Sequence, residues 1–148
     1  MIWGGISLRE KSPMVIVDGN LNAQRYIDQI LDQIVHPIAE RYGPQFVLMD
    51  DKARPHRANV ANDFLHAEGI SRMDPWPANS PDLNPIEQLW DQMGREVNAR
   101  VQPVDTLQDL QRYLQDAWTN FPQERIVRLI RSMRRRCTAV ITSNDGYT

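Results

Sequence analysis

A change of hydrophobic period sets the architecture open to this chain. Residues 2–7 ("IWGGIS") and 13–18 ("PMVIVD") read as two short strands. The polar turn "LREKS" between them makes a hairpin, and Gly19-Asn20 ends the second strand. From Asn22 to about Arg41 the period becomes helical. Tyr26, Ile27, Ile30, Leu31, Ile34, Val35 and Ile38 recur on one face, and Pro37 is placed to end or kink the helix near its last turn. "QFVLMD" (45–50) follows Gly43-Pro44 as a short buried strand and stops at Asp50-Asp51. A second helix over 57–68 turns Val60, Ala61, Phe64 and Leu65 inward and stops at Gly69. "ISRMD" is a weak final strand.

The proline-rich "PWPANSPDLNP" then leads into a helix from Pro85 to about Ala99, striped by Ile86, Leu89, Trp90, Met93 and Val97. Two more helices are predicted at roughly 106–118 and 122–135, the first opening on a box-like pair, Asp105 and Gln108. The order β-β-α-β-α-β-α, then helices, implies a mixed sheet with helices on its faces.

At 148 residues the expected organisation is a single domain. A composition of 41% hydrophobic and 24% charged residues excludes overall disorder. The longest aliphatic runs, such as "MVIV", are far short of a membrane span, and no signal peptide is visible at the N-terminus. Cys137 is alone, which excludes an internal disulfide and fits a reducing compartment. The net charge of −2 argues against a protein that coats nucleic acid. Its distribution says more: "RIVRLIRSMRRR" (125–136) holds six arginines and no acid. That suggests one anionic contact surface, with Arg134, Arg135 and Arg136 as its candidates; the alternative is a solvated helix end.

The stretch "NSPDLNPIEQLW" supports two readings of Glu87. Asn84 suits an N-cap, Pro85 the first helical position, and Glu87 stands three residues after the cap, as in a capping box. Alternatively, Glu87 is a metal ligand. Asp51 ends a strand and Glu87 starts a helix, and in mixed sheets sites form where strand ends meet helix starts. Two carboxylates from separate elements suit Mg²⁺, which prefers oxygen ligands and keeps positions for water and phosphate. Other chemistries fit less well. A single cysteine leaves no Cys-rich zinc site, His36, His56 and His66 lack close ligand spacing, and no glycine-rich phosphate loop is present.

Together, "DDKARPHRA" and "WPANSPDLNPIEQLW" resemble the catalytic core of mariner-superfamily DDE/D transposases. The early "WGGIS" and "VDGNLNAQRYIDQIL" and the late "RRRCTAVITSNDGYT" fit the same family in the same order, so the resemblance covers nearly the whole chain. It implies an α/β, ribonuclease-H-like mixed sheet flanked by helices, with a core over 1–100 and a C-terminal helical region over 101–148. It also implies a site of three acids holding two Mg²⁺ or Mn²⁺ ions, and DNA (transposon ends and target) as the partner. A homo-oligomer and a nuclear location are further expectations, with no membrane and no small-molecule cofactor.

By motif, Asp51 is similar to the family's second acid and Glu87 to its third, both catalytic and metal-ligating. Asp50 is a neighbour, Lys52 stands where an asparagine is usual, and His56 matches a recurrent position near the site; a structural histidine at a helix start is its plainer reading. The 35 residues between Asp51 and Glu87 are one more than the commonest spacing, with Pro75 as the extra residue. The first catalytic acid would lie on a strand before "WGG", so it and the central strand that carries it are expected to be missing from this chain. Asp18, at a turn, does not replace it. A fragment inactive on its own and marginally stable is therefore expected, because open strand edges invite association. The alternative is a non-enzymatic DNA- or transposase-binding module.

Overall fold

The computed structural model describes residues 1–74, 83–99 and 105–142. They fall into two compact units, Met1–Ile2 with Val17–Asn79 and Trp3–Ile16 with Ser80–Thr148. Among the described residues no helix is long and apolar enough to cross a membrane.

In the first unit the predicted long helix is continuous but not uniformly α. It opens as α1 (Ala23–Tyr26), passes through a π-helical stretch at Ile27–Val35, and closes as α2 (His36–Tyr42). Asn22 caps it, its side chain accepting from the Arg25 N–H at 2.9 Å. The π register precedes Pro37, and the His36 N–H donates five residues back to Leu31 O. Pro37, which has no N–H to give, therefore sits inside the helix instead of ending it. This helix buries Tyr26, Ile30, Leu31 and Val35 and packs on the helix Asn59–Ala67, which buries Ala61 and Leu65. The predicted second helix is divided into α3 (Arg54–Arg57) and α4 (Asn59–Ala67), because Ala58 adopts extended backbone at φ −64°, ψ 143°. Strand β3 (Val47–Leu48) pairs in parallel with β4 (Ser71–Arg72), Val47 opposite Ser71.

The second unit is built on helices. Strand β1 (Ile2–Trp3) pairs with β2 (Val15–Ile16), and an antiparallel bridge joins Ile6 to Lys11. Paired strands are thus shorter than the sequence suggests, and the hairpin and β3–β4 are separate two-stranded sheets. Helix α5 (Pro85–Asn98) buries Leu89, Met93 and Val97 against α6 (Leu107–Asn120) and α7 (Gln123–Thr142). The cap of α6 falls one residue later than predicted. Thr106 Oγ1 accepts from the Asp109 N–H at 3.0 Å and donates to its carboxylate at 2.7 Å.

One polar anchor of this unit is Lys11, at the tip of the hairpin. Its ammonium donates to the carbonyls of Trp118 (2.5 Å), Thr119 (2.9 Å) and Phe121 (2.7 Å). These lie at and just beyond the C-terminal end of α6, where backbone acceptors lack intrahelical partners and the dipole favours a cation. Lys11→Met is expected to lower stability by about 1–2 kcal/mol in urea denaturation. An unchanged midpoint would mean that water replaces the ammonium at no cost.

Candidate active site

Strand β3 ends at Leu48, two residues before Asp50, and the two neighbouring acids beyond it meet opposite environments. Asp50 is turned inward, its side chain only 7% exposed. Its Oδ2 lies 3.2 Å from Arg72 Nη2 and its Oδ1 3.4 Å from Arg57 Nη2, while the Tyr26 hydroxyl donates to Oδ2 at 3.5 Å. Burial pushes the Asp50 carboxyl up, against the pull of Arg72, His56 and Arg57. The same burial, with Asp50 beside it, pushes the Tyr26 phenol strongly upward. Arg72 and Arg57 thus face Asp50 as ion pairs, while its Oδ1 accepts no hydrogen bond among the described residues.

Asp51 is exposed. Its Oδ1 accepts from the Ala53 N–H at 2.9 Å and from His56 Nδ1 at 2.6 Å. An ionised carboxylate only accepts, so Nδ1 of His56 carries the proton. The His56 hydrogen bond, helped by the Ala53 N–H, holds the Asp51 carboxyl below the usual carboxylate range despite partial burial. Oδ2 has no partner among the described residues.

His56 is itself fixed from two other elements. Its ring packs on Tyr26 with centroids 4.3 Å apart, and its carbonyl accepts from Arg72 Nη2 at 2.8 Å. Both readings of this histidine meet here: it is structural, in the single turn of α3, and it touches Asp51. Lys52 is exposed, without a partner among the described residues.

Glu87 belongs to the second unit, in the first turn of α5. Asn84 caps that helix, its side chain accepting from the Ile86 N–H at 3.4 Å and its carbonyl from the Glu87 N–H at 3.2 Å. The reciprocal half of a capping box is not made. The exposed Glu87 carboxylate has no hydrogen-bond partner among the described residues. The cap therefore sets where the helix begins without engaging the Glu87 carboxylate. Pro75 and most of the proline-rich loop, 75–82, lie outside the described residues.

The structure thus brings together Asp50, Asp51 and His56, and adds three residues that sequence reasoning did not single out: Tyr26, Arg57 and Arg72. Among the described residues no group of three His, Cys, Asp or Glu side chains is placed to hold a metal ion. Of the terminal arginines, Arg134 and Arg135 are exposed, whereas Arg136 donates to the Leu129 carbonyl at 3.2 Å.

A protein-family model described as "DDE superfamily endonuclease" matches residues 1–111. The chain belongs to this family. The chain is 32% identical to the Tc3 transposase of Caenorhabditis elegans, over 99% of its own length and 44% of the relative's. It is 33% identical to the Tcb2 transposase of Caenorhabditis briggsae, over 100% of its own length and 53% of the relative's. It therefore spans about half the length of the curated relatives it matches. Its fold is that of the ribonuclease-H-like catalytic domain of the Mos1 mariner transposase. A structure of that domain with raltegravir and Mg superposes with a TM-score of 0.82 at 20% identity, covering 99% of this chain and 76% of the other. The catalytic domain alone gives 0.76 at 19% identity, covering 99% and 83%.

Proposed function

We propose that this chain is part of a transposase that cuts and joins DNA with the help of divalent metal ions, and that Asp51 and Glu87 are carboxylate ligands for Mg²⁺ or Mn²⁺. The observation that carries the reading is the state of Asp51: exposed, ionised, with one oxygen pinned and the other open. Glu87 supports it, as an exposed carboxylate without a partner among the described residues, at a fixed helix start. Hard oxygen donors of this kind suit Mg²⁺, which is held through one or two protein carboxylates with water and phosphate completing its shell. In family enzymes a pair of such ions activates the attacking oxygen and stabilises the leaving one. The Tc3 and Tcb2 relatives are transposases, and Mos1 is known in structures with Mg, with Mn, and as paired-end and strand-transfer complexes. With chromosomal DNA as its substrate, we place its action in the nucleus.

Within this reading His56 is a positioning residue: it orients and ionises Asp51 through Oδ1. The reading is tested by Mn²⁺ titration of the whole chain, followed by electron paramagnetic resonance. Asp51→Ala and Glu87→Ala are each expected to weaken Mn²⁺ binding by at least about 10- to 100-fold, and His56→Ala by about 10-fold. Equal binding by wild type, Asp51→Ala and Glu87→Ala would sink the metal-site assignment. It would leave the non-enzymatic DNA- or transposase-binding module as the better account.

A further inference from the structure

Several arginines among the described residues have partners within the chain. Arg57 and Arg72 hold Asp50, Arg95 pairs with Asp91, Arg112 with Asp109, and Arg25 donates to the carbonyls of Asp18 and Asn20. On α7, Arg125 pairs with Glu96 at 2.6 Å, donates to Gln92 at 2.8 Å and packs over the Phe121 ring. Arg136 folds back on the Leu129 carbonyl. Four arginines of the same helix behave differently. Arg128, Arg131, Arg134 and Arg135 are all exposed, and none has a side-chain partner among the described residues.

Helical geometry puts these four on one face. At about 100° per residue they fall within an arc of roughly 120°, and from Arg128 to Arg135 the helix rises about 10 Å. The only acid of α7 is Glu124, in its first turn. The opposite side carries Ile126, which is buried, and Met133, which is half-buried. A row of guanidinium groups without side-chain partners among the described residues, on a helix whose one acid lies in its first turn, is a concentrated positive stripe on a chain of net charge −2.

We propose that this face, Arg128, Arg131, Arg134 and Arg135, docks on the phosphate backbone of duplex DNA. The inference rests on the transposase reading for its partner and assigns that partner a surface. Guanidinium groups match phosphate geometry, and backbone contacts of this kind position a protein without reading sequence. The surface therefore differs in membership from the run Arg134–Arg136 that charge alone suggests: two residues join it from earlier turns, and Arg136 leaves it.

The test is fluorescence anisotropy of the full chain with a labelled DNA duplex of arbitrary sequence, over a series of salt concentrations. Each phosphate contact contributes about 0.9 to the slope of log affinity against log salt. Changing all four arginines to glutamine is expected to lower that slope by about 3–4. The double variants R128Q/R131Q and R134Q/R135Q should each lower it by about 2, equally for unrelated sequences. Arg95→Gln and Arg112→Gln, exposed but paired with acids, should leave it unchanged. Circular dichroism melts of the same variants verify the fold, and the double variants stand if the quadruple one does not fold.

Wild-type binding with an unchanged slope in both double variants overturns the surface alone, since Mn²⁺ binding through Asp51 and Glu87 is read separately. Failure of the wild-type chain to bind duplex DNA overturns it too. So does capture by phosphatidylserine vesicles without DNA binding, the outcome expected of a helix that lies on membranes.

Discussion

Arg72→Ala is expected to remove about 3–5 kcal/mol of folding stability, because it strips a partner from a buried carboxylate. The Arg72 side chain is 10% exposed and that of Asp50 is 7% exposed, so neither charge has water to fall back on. One guanidinium reaches Asp50 at 3.2 Å, Asn62 Oδ1 at 2.6 Å and the His56 carbonyl at 2.8 Å. Alanine leaves Asp50 facing Arg57 alone, at 3.4 Å. It also frees the carbonyl end of the residue that holds Asp51. Urea denaturation measures the loss. The companion experiment removes both charges together: Asp50→Asn with Arg72→Met should cost distinctly less than Arg72→Ala, since no buried charge is stranded. A loss below about 1 kcal/mol in Arg72→Ala would show that Asp50 is solvated in the folded state.

Trp118→Ala is expected to cost a similar amount, about 3–5 kcal/mol, in the second unit. Trp118 is 2% exposed. Its ring stacks on Trp90 with centroids 5.1 Å apart, and its Nε1 donates to the Ser12 carbonyl at 2.9 Å. It also explains why residue 4 is glycine: a Cβ there would lie 2.7 Å from the edge of the Trp118 ring. Deleting the indole opens a cavity between the hairpin and the helices and unpairs a buried carbonyl. Trp118→Phe should recover part of the loss by restoring ring contact without the N–H. The melt is followed by circular dichroism, and equal losses for Trp118→Ala and Trp118→Phe would mean that the hydrogen bond, not the packing, matters.

Helices were legible in the sequence where periodicity was long and their starts were marked. Asn84-Pro85 announces α5, and the stripe of Leu89, Met93 and Val97 is the one that is buried. Less was legible where two local signals compete. At α6 both Asp105 and Thr106 suit an N-cap, and only backbone geometry chooses Thr106. Helix α7 runs past 135 to Thr142 because "CTAVIT" holds neither proline nor glycine to stop it.

The π register at Ile27–Val35 escaped notice because its buried positions, 26, 30, 31 and 35, also satisfy a helical period. Strand lengths failed for another reason: pairing is non-local, and apolar runs show which residues are extended but not which find partners. The candidate site divides the same way. Asp51, Glu87 and His56 stand out by motif. Arg57 and Arg72 do not, because an arginine on a short helix and another on a weak strand carry no mark of sharing one carboxylate.

The hydrogen bonds on Asp51 bear on ion selectivity. Two donors occupy Oδ1, so a cation held by this carboxylate meets a ligand with one oxygen to give. Calcium, with its larger shell, often takes both oxygens of a carboxylate, and here it would have to break the imidazole contact to do so. Magnesium asks for single oxygens at octahedral corners and loses nothing. If Asp51 is the metal ligand proposed above, its contact with the His56 imidazole would in this way tilt the site toward the smaller cation.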